Sequence, residues 1–162
     1  MHASVEVVEA DLSRIDHQSA VLALTHAYAL DDMGNGGPLP ADVMARLIEG
    51  LKRHPTTMIF LAYAAGRPIG IATCFRGFST FQARPLVNIH DLAVVPEHRG
   101  RGVGFALLSA VERRAGELGC CKITLEVQEN NQHARRAYER VGFAQAVYGD
   151  TTGGSLFYTK AL

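Results

Sequence analysis

The sequence predicts a mixed α/β fold, a central sheet of about seven strands flanked by four helices in the order βααβββαβαββ. Three observations lead there. Stretches with apolar residues at every second position interleave with stretches where they recur every three to four. Neighbouring strands in mid-chain call for antiparallel pairing, whereas strands separated by a helix call for parallel pairing. The 162 residues, 48% hydrophobic and 20% charged, suit one compact domain over residues 1–162 with its own core.

Residues 3–8 set Val5 and Val7 between polar neighbours, the pattern of a half-buried strand. Asp11 or Ser13 then offers an N-cap, and Val21, Leu24 and Tyr28 form the apolar stripe of a helix ending near Leu30. Three glycines and two prolines make residues 31–40 a loop, after which Val43, Met44, Leu47, Ile48 and Leu51 mark a second helix. Residues 57–63 and 69–78, joined at Ala65-Gly66-Arg67, read as a hairpin rich in strand formers. Residues 86–95 form the next strand, bounded by Pro85 and Pro96. A third helix carries Val103, Leu107, Ala110, Val111 and Leu118 and stops at Gly119. Residues 121–127 return as a strand. Ala134, Ala137, Tyr138 and Val141 share one face of a fourth helix over residues 131–141, closed by Gly142. Residues 143–148 and 155–160 then flank a turn-rich connection and are expected to form a terminal hairpin.

Charge narrows the partners. Sixteen basic and sixteen acidic side chains cancel, so no whole-molecule field draws the chain to nucleic acid or to an anionic membrane. The longest apolar run, residues 58–65, is eight residues, far short of the roughly 20 needed to cross a bilayer. No signal peptide is read at the start, where Glu6 and Glu9 stand and no basic region leads into a long apolar stretch, so the expected location is cytoplasmic. Cys74, Cys120 and Cys121 lack both a pairing framework and metal-site spacing; reduced thiols and no metal are expected.

A strand running into Arg99-Gly100-Arg101-Gly102-Val103-Gly104 and then a helix leaves several backbone N–H groups unpaired at the positive end of a helix dipole. Glycines there let an anion approach without meeting a Cβ. Phosphate or pyrophosphate is the ligand this favours. The spacing lacks the G-x-G-x-x-G of dinucleotide folds, and no Gly-Lys-Ser/Thr follows. Residues 97–140 hold eight basic and six acidic side chains, net +2, which mildly favours an anion.

Arg99-x-x-Gly102-x-Gly104, following the strand at residues 89–95, resembles the acetyl-CoA signature of the GNAT acyltransferase superfamily. Leu125-Glu126-Val127 and then Asn131-x-x-Ala134-x-x-x-Tyr138-x-x-x-Gly142-Phe143 is similar to that family's other cofactor element, at the usual separation. The two motifs span residues 87–143. The resemblance implies that the strands at residues 86–95 and 121–127 splay apart and that acetyl-CoA lies in the V between them. It implies that main chain at Leu92, Ala93 and Val94 pairs with the pantetheine arm, and that loop amides of Arg99, Gly100, Arg101, Gly102, Val103 and Gly104 hold the pyrophosphate. Asn131 would contact the pantetheine, and Tyr138 would protonate or hydrogen-bond the departing thiolate. Read without the motif, Tyr138 lies on a face with Ala134 and Val141 where a tyrosine is usually core, and Asn131 suits a helix N-cap.

The activity implied is N-acetyl transfer by direct attack of a neutral amine on the thioester. Simple alternation puts Asn88, His90, Leu92 and Val94 on one strand face, a phase that a bulge would shift, with Asp91 on the other face as a structural residue. His90 is the candidate base. Residues 1–50 carry eight acidic side chains against Arg14 and Arg46, net −6, including Asp31-Asp32. Asp31, Asp32 and Asn88 are therefore the candidate contacts for a small cationic amine. The alternatives are acetylation of a protein lysine or N-terminus, and a non-catalytic acyl-CoA-binding module; a homodimer is compatible with each. Cys74 could in principle carry an acyl group, but a strand cysteine is far more often a small buried hydrophobe.

Overall fold

A computed structural model describes residues 4–147, 149 and 153–162. The chain divides into two units, Met1–Gln128 and Glu129–Leu162.

In the first unit the strands β1 (Val5–Glu9), β2 (Thr57–Ala64), β3 (Arg67–Ser79), β4 (Arg84–Val94) and β5 (Ile123–Leu125) form one sheet in sequence order. The first four pair antiparallel. Between β4 and β5 the chain crosses through helix α3 (Val103–Glu117), and those two strands pair parallel. The β2–β3 connection is tight because Ala65 and Gly66 both take positive φ, 48° and 73°, as a two-residue hairpin turn requires. The near-continuous apolar run of β2 is buried on both faces.

One sheet face is covered by α1 (Ile15–Ala29), whose Ala20, Val21 and Leu24 cluster with Ile59, Leu61 and Ile71. Ile48 and Leu51 of α2 (Ala41–Arg53) pack at the margin of that cluster. The other face is covered by α3, which buries Val103, Leu107, Leu108, Ala110, Val111 and Ala115. Each large aliphatic side chain removed from water in this way contributes about 1.5–3 kcal/mol. Neither Asp11 nor Ser13 caps α1. The helix begins after Arg14, which provides no side-chain cap, and the Asp11 carboxylate instead accepts from Ser13 N–H at 2.9 Å and Ser13 Oγ at 2.7 Å. An Asx turn has taken the place of the cap.

In the second unit α4 (Gln132–Arg140) is the one regular element among the described residues. The sheet thus has five strands, and the two expected at residues 143–148 and 155–160 do not form among the described residues there. Residues 148 and 150–152, including part of the expected turn, lie outside the described residues. The rest of the segment is irregular, with Leu156, Phe157 and Tyr158 exposed to 77%, 72% and 84%. Strand preference is a preference for a pleated, half-buried surface, and these side chains have no face to bury against.

Candidate functional site

The β4–β5 ladder is short. It pairs Val87 with Ile123, Asn88 with Thr124 and Ile89 with Leu125, and then stops. On its other edge β4 continues beside β3, but with a bulge: Thr73 pairs with Asp91 and Cys74 with Ile89, leaving His90 as the extra residue. Beyond the bulge Val95 N–H donates to Ile69 O at 2.9 Å. Antiparallel alternation then turns the main chain of Ala93 toward β3, and that of Leu92 and Val94 toward the side that β5 has left. The strands therefore splay where the bulge begins, and two sets of backbone donors and acceptors face the gap.

The gap leads to the start of α3. Gly100 and Gly102 take φ of 70° and 82°, the left-handed region that other residues avoid, and this turns the chain from the Pro96–His98 turn into the helix. Gly102 supplies no side-chain cap, the first turn carries no acidic residue, and the first intrahelical bond runs from Ala106 N–H to Gly102 O at 3.0 Å. The N–H groups of Val103, Gly104 and Phe105 precede that bond and have no helical partner. They sit at the positive end of the dipole, the arrangement that binds phosphate.

Arg99 has a role the sequence does not reveal. Its Nε donates to Val94 O at 3.0 Å, one of the main-chain groups on the open side. Its Nη2 pairs with the carboxylate of Asp31 in the loop between α1 and α2. The hydrogen bond from Arg99, with one from Met33 N–H, holds the Asp31 carboxyl below the usual carboxylate range. The same loop is tied beyond β5, where Gln128 Nε2 donates to Met33 O at 3.2 Å. A small cleft lined by Leu24, Tyr28, Ala93, Val95, Pro96 and Arg99 lies beside these contacts.

The bulge also corrects the face assignments on β4. Ala93 and Val95 pack on the α1 cluster, and the pairing of Asp91 with Thr73 and Asn88 with Phe75 puts both on that same side. His90 joins them, edge-on to the Phe75 ring with centroids 5.6 Å apart, while His54 meets the same ring at 4.9 Å. Leu92 and Val94, paired with Ala72 and Gly70, turn to the α3 side, where a Cβ at Gly70 would come within 3.1 Å of Val103 and Leu107. The simple alternation that groups Asn88 and His90 with Leu92 and Val94, and puts Asp91 opposite, is thus overturned.

Asp91 is the residue this correction promotes. Burial raises its carboxyl above the usual carboxylate range, with His90 opposing the shift. Tyr28 is raised as well, by its own burial first and then by the Asp91 and Asp31 carboxylates. Asn88 donates through Nδ2 to Thr124 Oγ1 at 3.0 Å, spanning the two strands just before they part. Asp32 is exposed. Much of the acidic surplus of residues 1–50 is balanced locally, Asp16 by Arg14, Asp42 by Arg46, Glu49 by Lys52 and Glu9 by Arg114. Cys74 lies fully buried, and burial pushes its thiol up to about 12. It stays protonated near neutral pH, which disfavours an acyl-enzyme route. No group of three His, Cys, Asp or Glu side chains able to hold a metal ion occurs among the described residues, and no helix there is long and apolar enough to cross a membrane.

In the second unit Asn131 caps α4, its Oδ1 accepting from Ala134 N–H at 3.1 Å. Tyr138 is half-buried and meets Phe143 edge-on at 5.9 Å.

Comparison with known proteins bears on both motifs. The Acetyltransferase (GNAT) family matches residues 23–143. An uncharacterized N-acetyltransferase of Bacillus subtilis (strain 168), YhfO, is 34% identical over 95 residues, 59% of this chain and 63% of that protein. The chain therefore spans less than two thirds of that relative. Among solved structures, a probable acetyltransferase superposes with a TM-score of 0.79 at 20% identity, covering 96% of this chain and 99% of the other. The aminoglycoside N-acetyltransferase AAC(6')-Iy, solved with CoA, gives 0.75 at 20% identity over 99% and 97%. At that identity the likeness is one of fold.

Proposed function

The chain belongs to the acetyltransferase (GNAT) family, and on that premise we propose that it transfers the acetyl group of acetyl-CoA to a primary amine of a small cationic molecule. The observation that carries the reading is the gap in the sheet: β5 leaves β4 after Ile89, main-chain groups of Leu92 and Val94 face the opening, and uncapped amides at the start of α3 lie at its end. The fit to an extended carrier with a pyrophosphate is chemical. An amide-bearing arm finds donors and acceptors of an unpaired strand edge, and a doubly charged anion finds a helix N-terminus free of acidic residues.

When bound, the carrier supplies an acyl thioester already activated for transfer. The chain's own residues do the rest. Leu92 and Val94 hold the arm, with Ala93 between them bonded into the sheet. Amides over Arg99, Gly100, Arg101, Gly102, Val103 and Gly104 hold the pyrophosphate. The family motif assigns Asn131 to the pantetheine and Tyr138 to the departing sulfur. A phenol is a weaker acid than a thiol, so Tyr138 stabilises the developing thiolate by donating a hydrogen bond rather than by complete proton transfer. His90 takes the proton of the incoming ammonium, directly or through water, on a ring nitrogen that accepts when the imidazole is neutral. Asp31, Asp32 and Asn88, now with Asp91, make the acceptor side anionic and hydrogen-bonding. Holding both reactants aligned removes much of the entropic barrier.

The test is release of free thiol from acetyl-CoA across a panel of small amines and peptides. Acceptor-dependent release with polyamines or amino sugars ahead of peptides is expected. Release with peptides alone would move the acceptor to a protein, and silence across the panel with CoA still bound would leave a binding module.

A further inference from the structure

The end of β4 that faces the gap is not bare. The Arg99 guanidinium lies across it, bonded at once to the Val94 carbonyl and to Asp31 of the α1–α2 loop. Three things make this contact unlike a surface ion pair. Its carboxylate is partly buried, with 18% of the Asp31 side chain accessible against 46% for Arg99. Its second acceptor, Val94 O, belongs to the edge that β5 has left. Its loop is fastened on both sides of the gap, by Arg99 after β4 and by Gln128 after β5, which reaches Met33 O. The guanidinium thus bridges the loop to the strand edge in the space next to the phosphate-binding helix start.

We propose that Arg99 is a latch contested by two anions: Asp31 holds it across the end of β4, and the pyrophosphate of the incoming carrier takes it over, clearing Val94 O and releasing the α1–α2 loop. The inference rests on the cofactor reading above. Its physical basis is that a guanidinium offers a planar fork of N–H donors matching carboxylate and phosphate alike. A doubly charged pyrophosphate, also held by helix amides, outcompetes one carboxylate. Asp31 therefore opposes carrier binding through Arg99, and its carboxylate is free for a cationic acceptor only after the carrier has arrived. This makes the order of binding a property of one side chain.

A double-mutant cycle reads the latch directly. CoA is titrated by calorimetry into the full chain and into Asp31→Asn, Arg99→Ala and the double variant. Asparagine keeps an Oδ1 for the Met33 N–H, which the aspartate accepts at 3.0 Å, so the loop retains its local bond. The expected result is that Asp31→Asn tightens CoA roughly two- to fivefold, the span of a partly exposed ion pair. In the Arg99→Ala background the same change shifts affinity by less than about 1.5-fold. Equal CoA affinity in the native chain and in Asp31→Asn overturns the latch while leaving the cofactor reading intact. Tightening of the same size in both backgrounds also overturns it, since Asp31 would then repel the carrier as a bare charge. No CoA binding by the native chain removes the cofactor reading itself, and the latch with it.

Discussion

Gly104 separates two reasons for a glycine, and its replacement by alanine puts the cofactor cradle to a quantitative test. The residue is the second of α3, has no positive φ, and a Cβ added there would meet no protein atom within 4 Å. Nothing in the protein requires glycine at this point. Alanine is the better helix former by roughly 0.5–1 kcal/mol, toward the lower figure in a first turn. At about 2–4 °C per kcal/mol for a chain of this size, Gly104→Ala should raise the ligand-free melting temperature by roughly 1–4 °C. The same methyl group would stand among the free N–H groups of the helix start. If it pushes the pyrophosphate away from one charge-assisted hydrogen bond, worth about 1.5–3 kcal/mol, CoA affinity falls roughly 10- to 100-fold. Thermal unfolding by circular dichroism and CoA titration by calorimetry measure the two effects on one sample. Gly102→Ala is the contrast: its φ of 82° costs an alanine about 1–2 kcal/mol, so stability and affinity fall together. A Gly104→Ala protein that is more stable but binds CoA within twofold of the native chain would show that the carrier does not use this helix start.

Three further outcomes follow from the same geometry. Tyr138→Phe should bind CoA within about twofold yet lose roughly 100-fold in kcat, the lower end of general acid assistance, and unchanged turnover would reject the assignment. Asp91→Asn should stabilise the protein at neutral pH: burial raises the native carboxyl, so the folded state binds more protons than the unfolded, and native stability falls as pH climbs from the unfolded value near ~3.9 through the folded one. The difference in melting temperature should shrink toward pH 4, and a difference constant from pH 4 to 8 would contradict the shift. Cys74→Ala should keep kcat within about twofold, since a thiol pushed up to about 12 is not the nucleophile; loss of turnover in a still-folded Cys74→Ala protein would revive a covalent route.

What the sequence makes readable is what depends on near neighbours. The stripe of Val21 and Leu24, the Ala65-Gly66 turn, the glycines before α3 and the cap at Asn131 each rest on residues a few positions apart, and each is found in place. The bulge at His90 has no local signature because it is defined against β3, so the faces of Asp91, Leu92 and Val94 are not legible from β4 alone. The Arg99–Asp31 pair joins residues 68 positions apart and cannot be read from either segment. At Asp11, by contrast, the local reading itself fails: two compatible turn chemistries compete there, and the Ser13 hydroxyl decides for the Asx turn. At the end of the chain the strand-forming composition of residues 155–160 is real, but propensity without a buried face does not make a strand.

The extra residue in β4 carries a consequence for how this protein tolerates change. A strand with one unpaired residue keeps two parities, even-numbered positions looking one way before His90 and odd-numbered ones looking that way after it. Shortening the strand by that one residue would restore simple alternation while Asp91 kept its place opposite Thr73 and Leu92 its place opposite Ala72, so Leu92 and Val94 would still turn to the α3 side. What would go is the bend at His90, so β4 would run straighter past the point where β5 leaves it, without any residue of the mouth itself having been altered.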